Sequence, residues 1–301
     1  MTETLRNAAA MHAERHPGGG LGYAHAIVRG LGNLLGRRSA AAGQAPEKAP
    51  ASTADRAASH RRVAAAGCLT PWGTRLMAEV DLHDDAAGPS GAPAGWIVEV
   101  DPQDPDAAPK RRTALGRLGH RGLSCLVNGD GRVVVYCGDG GGSGHLYKFI
   151  THGTWQPGDR PADRDLLDDG TLFVAHFAAD GEEDGMPVVF DAAPLVMEHG
   201  TLAWMPVVAG KRPLTAAYGY AGPAGVRTET RRAAALLRAT RMDGITDVMA
   251  DPEAGTARLR LAGRQTDARS RFNHVIEITE AGGDAAALRA HWEVLSTHSG
   301  H

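Results

Sequence analysis

From about residue 64 onward, short apolar and polar runs alternate, with turn residues between them. Period-two alternation places successive side chains on opposite faces of a strand. On that basis strands are predicted over 74–80, 95–101, 121–127, 132–138, 145–152, 171–178, 202–208, 257–263 and 274–279. Asn128-Gly129-Asp130-Gly131 separates two of these runs and carries hairpin chemistry, and Asp168-Asp169-Gly170 precedes another. In the first run Arg75, Met77 and Glu79 would share one face, and Leu76, Ala78 and Val80 the other. One helix is predicted over 226–241, because Ala233, Leu236, Leu237 and Thr240 recur at helical spacing. Many strands without alternating helices point to an all-β solenoid or propeller rather than an α/β sheet. No internal repeat is sharp enough to count blades.

Residues 1–60 have a different texture. Residues 4–14 and 16–36 carry short helical runs, and 39–59 is an Ala/Pro/Ser-rich stretch that reads as a linker. The expected organisation is therefore a partly helical leader and linker over 1–60, then a β region over 61–301. His12, His16 and His25 read as surface residues of that polar leader. Arg37-Arg38 is a twin arginine, but the following SAAAGQAPEKAP supplies no apolar h-region. Nor does any apolar run approach bilayer-spanning length. The expectation is a cytoplasmic chain with no membrane partner.

Composition narrows the chemistry. A net charge of −3 over 301 residues argues against a general nucleic-acid surface. Arg61-Arg62, Lys110-Arg111-Arg112 and Arg231-Arg232 read as solvated faces. The three cysteines, Cys68, Cys125 and Cys137, are widely spaced without a CxxC, so they predict neither a disulfide framework nor a zinc site. Cys137, inside the apolar VVVYC, reads as a buried small hydrophobe. A serine or cysteine hydrolase is disfavoured, since no GxSxG occurs and Cys137 has no evident base.

The most informative string is Thr70-Pro71-Trp72-Gly73-Thr74, followed by Arg75-Leu76-Met77-Ala78-Glu79. It is similar to a strand-opening motif of the PhoX-type bacterial alkaline phosphatases. The resemblance continues through GWIVEVDPQDPDAAPKRRTALGRLGHRG, VVVYCGDGGGSGHLYKFI, LLDDGTLFVAHFAADG, ATRMD and FNHVIEITEAGGDAAALRAHWEV, covering roughly residues 64–294. It implies a β-propeller with a central cluster of iron and calcium ions that hydrolyses phosphomonoesters, in a family that is usually exported. Clustered cations polarise a phosphoryl group and lower the pKa of bound water.

Several positions depart from the family pattern. Ala78 stands where the family has a metal-binding cysteine. His120-Arg121-Gly122 stands for His-Glu-Gly, which puts a cation where a carboxylate ligand would be. Asp139-Gly140 stands for an aspartate pair. Gly244-Ile245-Thr246 stands for Arg-Pro-Glu, whose arginine binds phosphate and whose glutamate binds iron. The family also extends further at both ends, with an Asn-His-Glu motif before TPWGT and an Asp-Asn segment after the last match. An incomplete propeller is therefore expected, with open sheet edges available to a homo-oligomer. His291, His298 and His301 read as a solvated terminus.

Two readings of the chemistry follow. In the first, Glu79, Asp139 and Glu277 hold one hard cation such as calcium, with Lys148 or Arg241 as surrogate phosphate clamp for a small phosphate ester. In the second, the chain is a weak or non-catalytic PhoX homologue. Glu79 and Asp139 are then solvated or turn residues, and Lys148 packs its stem beside Tyr147. No catalytic residue is assigned on either reading.

Overall fold

The computed structural model describes residues 63–79, 95–104, 106–140, 143–158, 163, 165–182, 185–190, 195, 197–262 and 271–300. The expected leader helices, the linker, the leader histidines, the twin arginine, Arg61-Arg62, Val80 and His301 lie outside those residues. The chain divides into Met1–Thr53 and Ala54–His301, and all described residues belong to the second unit. Among them no helix is long and apolar enough to cross a membrane.

Strands β1 (Val63–Leu69), β2 (Arg75–Glu79), β3 (Ile97–Val100) and β4 (Lys110–Arg111) form a four-stranded antiparallel sheet in that order. The TPWGT string is the turn between β1 and β2. It closes through Thr70 N–H to Thr74 O at 2.9 Å and Gly73 N–H to Thr70 O at 3.0 Å. Gly73 takes φ +84°, a conformation that costs glycine little. Trp72 Nε1 donates to Glu99 Oε1 at 2.8 Å, and the Thr74 hydroxyl donates to the same oxygen. Buried Arg112 holds the other oxygen at 2.6 Å and reaches Asp168 at 3.0 Å. Glu99 thus ties the turn to the far side of its own sheet.

The second sheet has nine strands: β5 (His120–Val127), β6 (Arg132–Asp139), β7 (Leu146–Thr154), β8 (Gly170–Ala178), β9 (His199–Pro206), β10 (Ile245–Asp251), β11 (Thr256–Ala262), β12 (Arg271–Glu280) and β13 (Arg289–Gly300). Strands β5 to β9 form one meander and β10 to β13 another. Antiparallel pairing of β13 with β9 joins the two. The sheet curls until its edge strands, β5 and β10, approach each other. Ala250 N–H donates to Ser124 Oγ at 3.0 Å across that seam. Gly122 allows the approach: a Cβ there would lie 2.3 Å from Val248 N. The edges expected to be open in this sheet therefore face one another.

Alternation on β6 to β8 separates two cores. Val133, Val135, Cys137, Tyr147, Phe149, Leu172 and Val174 pack towards Leu76, Ala78 and Ile97 of the small sheet. Val134, Tyr136, Phe173 and Phe177 pack instead with Trp204, Leu259, Ile276, Ile278 and Trp292 inside the curled sheet. Having both faces covered, β6 is buried from Val133 to Asp139.

The single helix expected over 226–241 is instead two short ones, α1 (Pro223–Thr228) and α2 (Thr230–Leu236). They break at Glu229, where Thr230 Oγ bonds back to the carbonyls of Arg227 (2.8 Å) and Val226 (3.1 Å). Arg238 then leaves the helix at φ +58°. Thr240 serves strand β8, with its N–H donating to Ala175 O at 3.0 Å and its Oγ accepting Phe177 N–H at 2.8 Å.

Candidate functional site

Asp139, at the end of β6, is completely buried, and Arg231 of α2 holds it from both sides. Arg231 Nε donates to Oδ2 and Nη2 to Oδ1, each at 2.6 Å. Such a fork-on-carboxylate pair is among the stronger protein hydrogen-bonding arrangements. Around it lie His120, opposite Asp139 in the β5–β6 register, and His145, whose carbonyl accepts Asp139 N–H at 3.0 Å. Tyr147 follows on β7 with its ring edge-on to His145 at 6.2 Å.

Both imidazoles are buried and are kept neutral by that burial. His120 is pushed down to about 4, against weaker raising effects from the Gly116 carbonyl and Asp139. Burial also lowers His145, against raising effects from the Thr240 carbonyl and Asp139. His145 Nδ1–H donates to Thr240 O at 2.8 Å, and His120 Nε2–H to Gly116 O at 3.1 Å. His120 Nδ1 and the Tyr147 hydroxyl have no hydrogen-bond partner. Burial pushes the Tyr147 hydroxyl well up, with Asp139 adding to the effect.

Beside this cluster Arg121 and Gly140 interlock. A Cβ on Gly140 would lie 2.0 Å from Arg121 Cγ, so the arginine stem occupies the space above the glycine. A side chain at 140 and the arginine stem at 121 therefore exclude each other. Gly244 is equally constrained. Its φ is +73°, and a Cβ there would lie 1.8 Å from Ala262 O. An arginine cannot be placed at that position without moving β11. Ile245 beside it is core, and the exposed Thr246 hydroxyl donates to Arg260 O at 3.3 Å.

The other residues proposed from sequence lie elsewhere. Glu79, at the end of β2, accepts Arg111 Nε at 2.8 Å. Glu277 stands directly opposite Glu293 and accepts Arg258 Nε at 2.6 Å. Arg241 donates to Ser143 Oγ at 2.5 Å. Lys148 lies in the second core. Its ammonium donates to Glu280 Oε1 (3.0 Å), Ala285 O (3.0 Å) and Ala287 O (2.6 Å), and it stands 4.4 Å from the Trp204 ring centroid.

Each proposed carboxylate thus has its own arginine. Among the described residues no group of three or more His, Cys, Asp or Glu side chains is placed to hold a metal ion. A cleft of about 860 Å³ lies beside Trp72, Glu99 and Arg112, and none of the Asp139 cluster lines it. Arg231 was read from sequence as a solvated basic residue. No spacing links it to Asp139, 92 positions away.

The model of the family "Alkaline phosphatase PhoX" matches residues 41–301, more of the chain than the motifs alone cover. Among solved structures, Pseudomonas fluorescens PhoX in complex with vanadate, a transition-state analogue, is similar with a TM-score of 0.60 and 26% sequence identity. That match covers 76% of this chain and 46% of the other, so this chain spans about half the length of that structure. No curated protein matches it. The all-β architecture is accordingly propeller-like. The chain belongs to the PhoX alkaline phosphatase family.

Proposed function

We propose that this chain is a PhoX-family protein in which the phosphomonoesterase machinery is weak or lost, and the fold persists without it. The bidentate Arg231–Asp139 pair carries this reading, because the guanidinium already occupies the carboxylate that a metal would need. The iron and calcium cluster implied by the family does not fit the described residues. Ala78 offers a methyl group, Arg121 a cation over Gly140, and Gly244 a backbone that excludes a side chain. A guanidinium next to a metal cluster repels it, and groups that act as a unit lose far more together than singly.

The test combines metal analysis of the purified full chain with turnover of p-nitrophenyl phosphate in calcium and iron. The expected result, from a cooperatively folded protein, is substoichiometric metal and at most a weak turnover that Asp139→Asn leaves unchanged. Stoichiometric metal, with turnover abolished by Asp139→Asn, would overturn it in favour of an active phosphatase with a substituted ligand set. The substrate would then be a small phosphate ester.

A further inference from the structure

A second group of ionisable side chains, outside the Asp139 cluster, lies where the two meanders join. Register sets His199 of β9 opposite Glu293 of β13, and Thr201 opposite His291. Residues two apart on a strand share a face, and so do residues directly opposite. His199, His291 and Glu293 therefore share the outer face of the curled sheet, since Leu202 and Trp292 of the same strands point into its core. All three are exposed, and with Asp180 and Thr279 they line a pocket of about 290 Å³. From this arrangement we infer a metal site on the β9–β13 seam. The imidazoles of His199 and His291 hold one late first-row divalent ion such as zinc, water completes its shell, and Glu293 supplies the balancing charge.

His199 is already oriented as a ligand. Its Nδ1–H donates to Asp180 Oδ2 at 2.9 Å. A carboxylate on one ring nitrogen fixes the tautomer, so Nε2 carries the lone pair that a metal takes. Among the described residues the side chains of His291 and Glu293 have no hydrogen-bond or ion-pair partner. On its other side Glu293 stands opposite Glu277, and Arg258 pairs with Glu277 only. Like charges in that register are destabilising, and a cation beside Glu293 removes the imbalance. His199 and His291 are diagonal neighbours, about 7–8 Å apart in an antiparallel pair and within reach of long side chains. A zinc–imidazole bond of about 2.0–2.1 Å from each side spans the remainder. As the side chains stand, no third His, Cys, Asp or Glu among the described residues converges with them, so solvent fills the other positions. Imidazole ligands select zinc, copper or nickel. Calcium, which needs about six to eight oxygens, finds one carboxylate. The bound ion ties together the two strands whose pairing joins the meanders. Held by two exposed imidazoles, it exchanges readily and is stripped by a chelator.

The test uses the full chain without an affinity tag, stripped with EDTA, dialysed and titrated with zinc chloride by calorimetry. The chain has 14 histidines, so variants decide which of them bind. His199→Ala and His291→Ala are each expected to abolish the tightest zinc event. Asp180→Asn is expected to weaken it about tenfold, the low end of the range for a carboxylate behind a metal-bound imidazole. X-ray absorption of the zinc-loaded chain should show two imidazole nitrogens at about 2.0–2.1 Å. With zinc at about a hundredfold excess over its dissociation constant the thermal midpoint should rise by about 5–10 °C, and calcium should leave it unchanged. Both histidines are exposed, so the variants should keep the metal-free midpoint of the parent chain. Undiminished zinc binding in either histidine variant would overturn the site. Calcium bound as tightly as zinc would overturn the ligand class, and a midpoint unmoved by bound zinc would overturn the tie between strands. Phosphate-ester turnover and the calcium and iron content do not depend on these histidines, so this site and the lost Asp139 chemistry stand or fall separately.

Discussion

Asp139 is neutralised by a guanidinium and flanked by two imidazoles that burial keeps uncharged, so the cluster is poised against acid. His120 titrates near 4 in the folded chain but near 6.5 when unfolded. Between those values the unfolded state binds a proton that the folded state refuses, so stability falls as pH drops from 6.5 to 4. The slope should approach about 1.4 kcal/mol per pH unit for this one group. His145 shifts in the same direction and should add to it. Urea midpoints measured at pH 7, 6, 5 and 4.5 check the trend. His120→Gln, which can keep a donor towards Gly116 O, should flatten it. At this scale the sequence made Asp139 conspicuous through its motif. It left the arginine partners of Asp139, Glu79 and Glu277 unidentified, because long-range pairing has no local periodicity.

Among elements, glycines decide where strands can approach and which substitutions the backbone accepts. Gly140→Asp should cost about 1–3 kcal/mol, the usual range for forcing atoms into occupied space. Most of that cost should vanish in an Arg121→Ala background, since the obstacle is the Arg121 stem. A four-member cycle of chemical denaturation measures the coupling, and additive costs would refute the interlock. Most strands were legible: β2, β3, β5 to β9, β11 and β12 fall on the alternating runs. Strand β1 escaped notice because VAAAGCL is alanine-rich and has no contrast between faces. ITDVMAD of β10 has an irregular pattern (buried Ile245 and Val248 are three apart), reflecting the register shift near its start. The helix was overestimated because apolar spacing continued past the point where Thr230 and Arg238 redirect the backbone.

Across the whole molecule, the curled sheet is pinned from within by one ion pair. Lys148 of β7 meets Glu280 at the end of β12, where Tyr136 of β6 donates at 2.8 Å and Trp204 of β9 at 3.2 Å. Burial lowers the ammonium to about 8, against the pull of Glu280, and raises the carboxyl, so desolvation opposes both charges. Lys148→Met alone should destabilise by about 3–5 kcal/mol, because it strands a buried carboxylate. Lys148→Met with Glu280→Gln should recover most of that, since the amide oxygen can still accept from Tyr136 and Trp204. Guanidinium denaturation of the single and double variants tests this; a double variant as unstable as the sum would refute it. Lys148 was expected to lie beside Tyr147 or to clamp phosphate. Alternation instead places it on the opposite face of β7 from Tyr147.

By itself the sequence determined that the chain is all-β, where most strands and turns fall, and which family it resembles. Those properties are written in local alternation, turn residues and ordered motifs. Tertiary structure alone decided that β5 and β10 meet, that two cores share one sheet, and that each candidate carboxylate is matched to an arginine from another segment. Period two fixes the face on which a side chain lies, but its partner depends on how distant strands pair and curl.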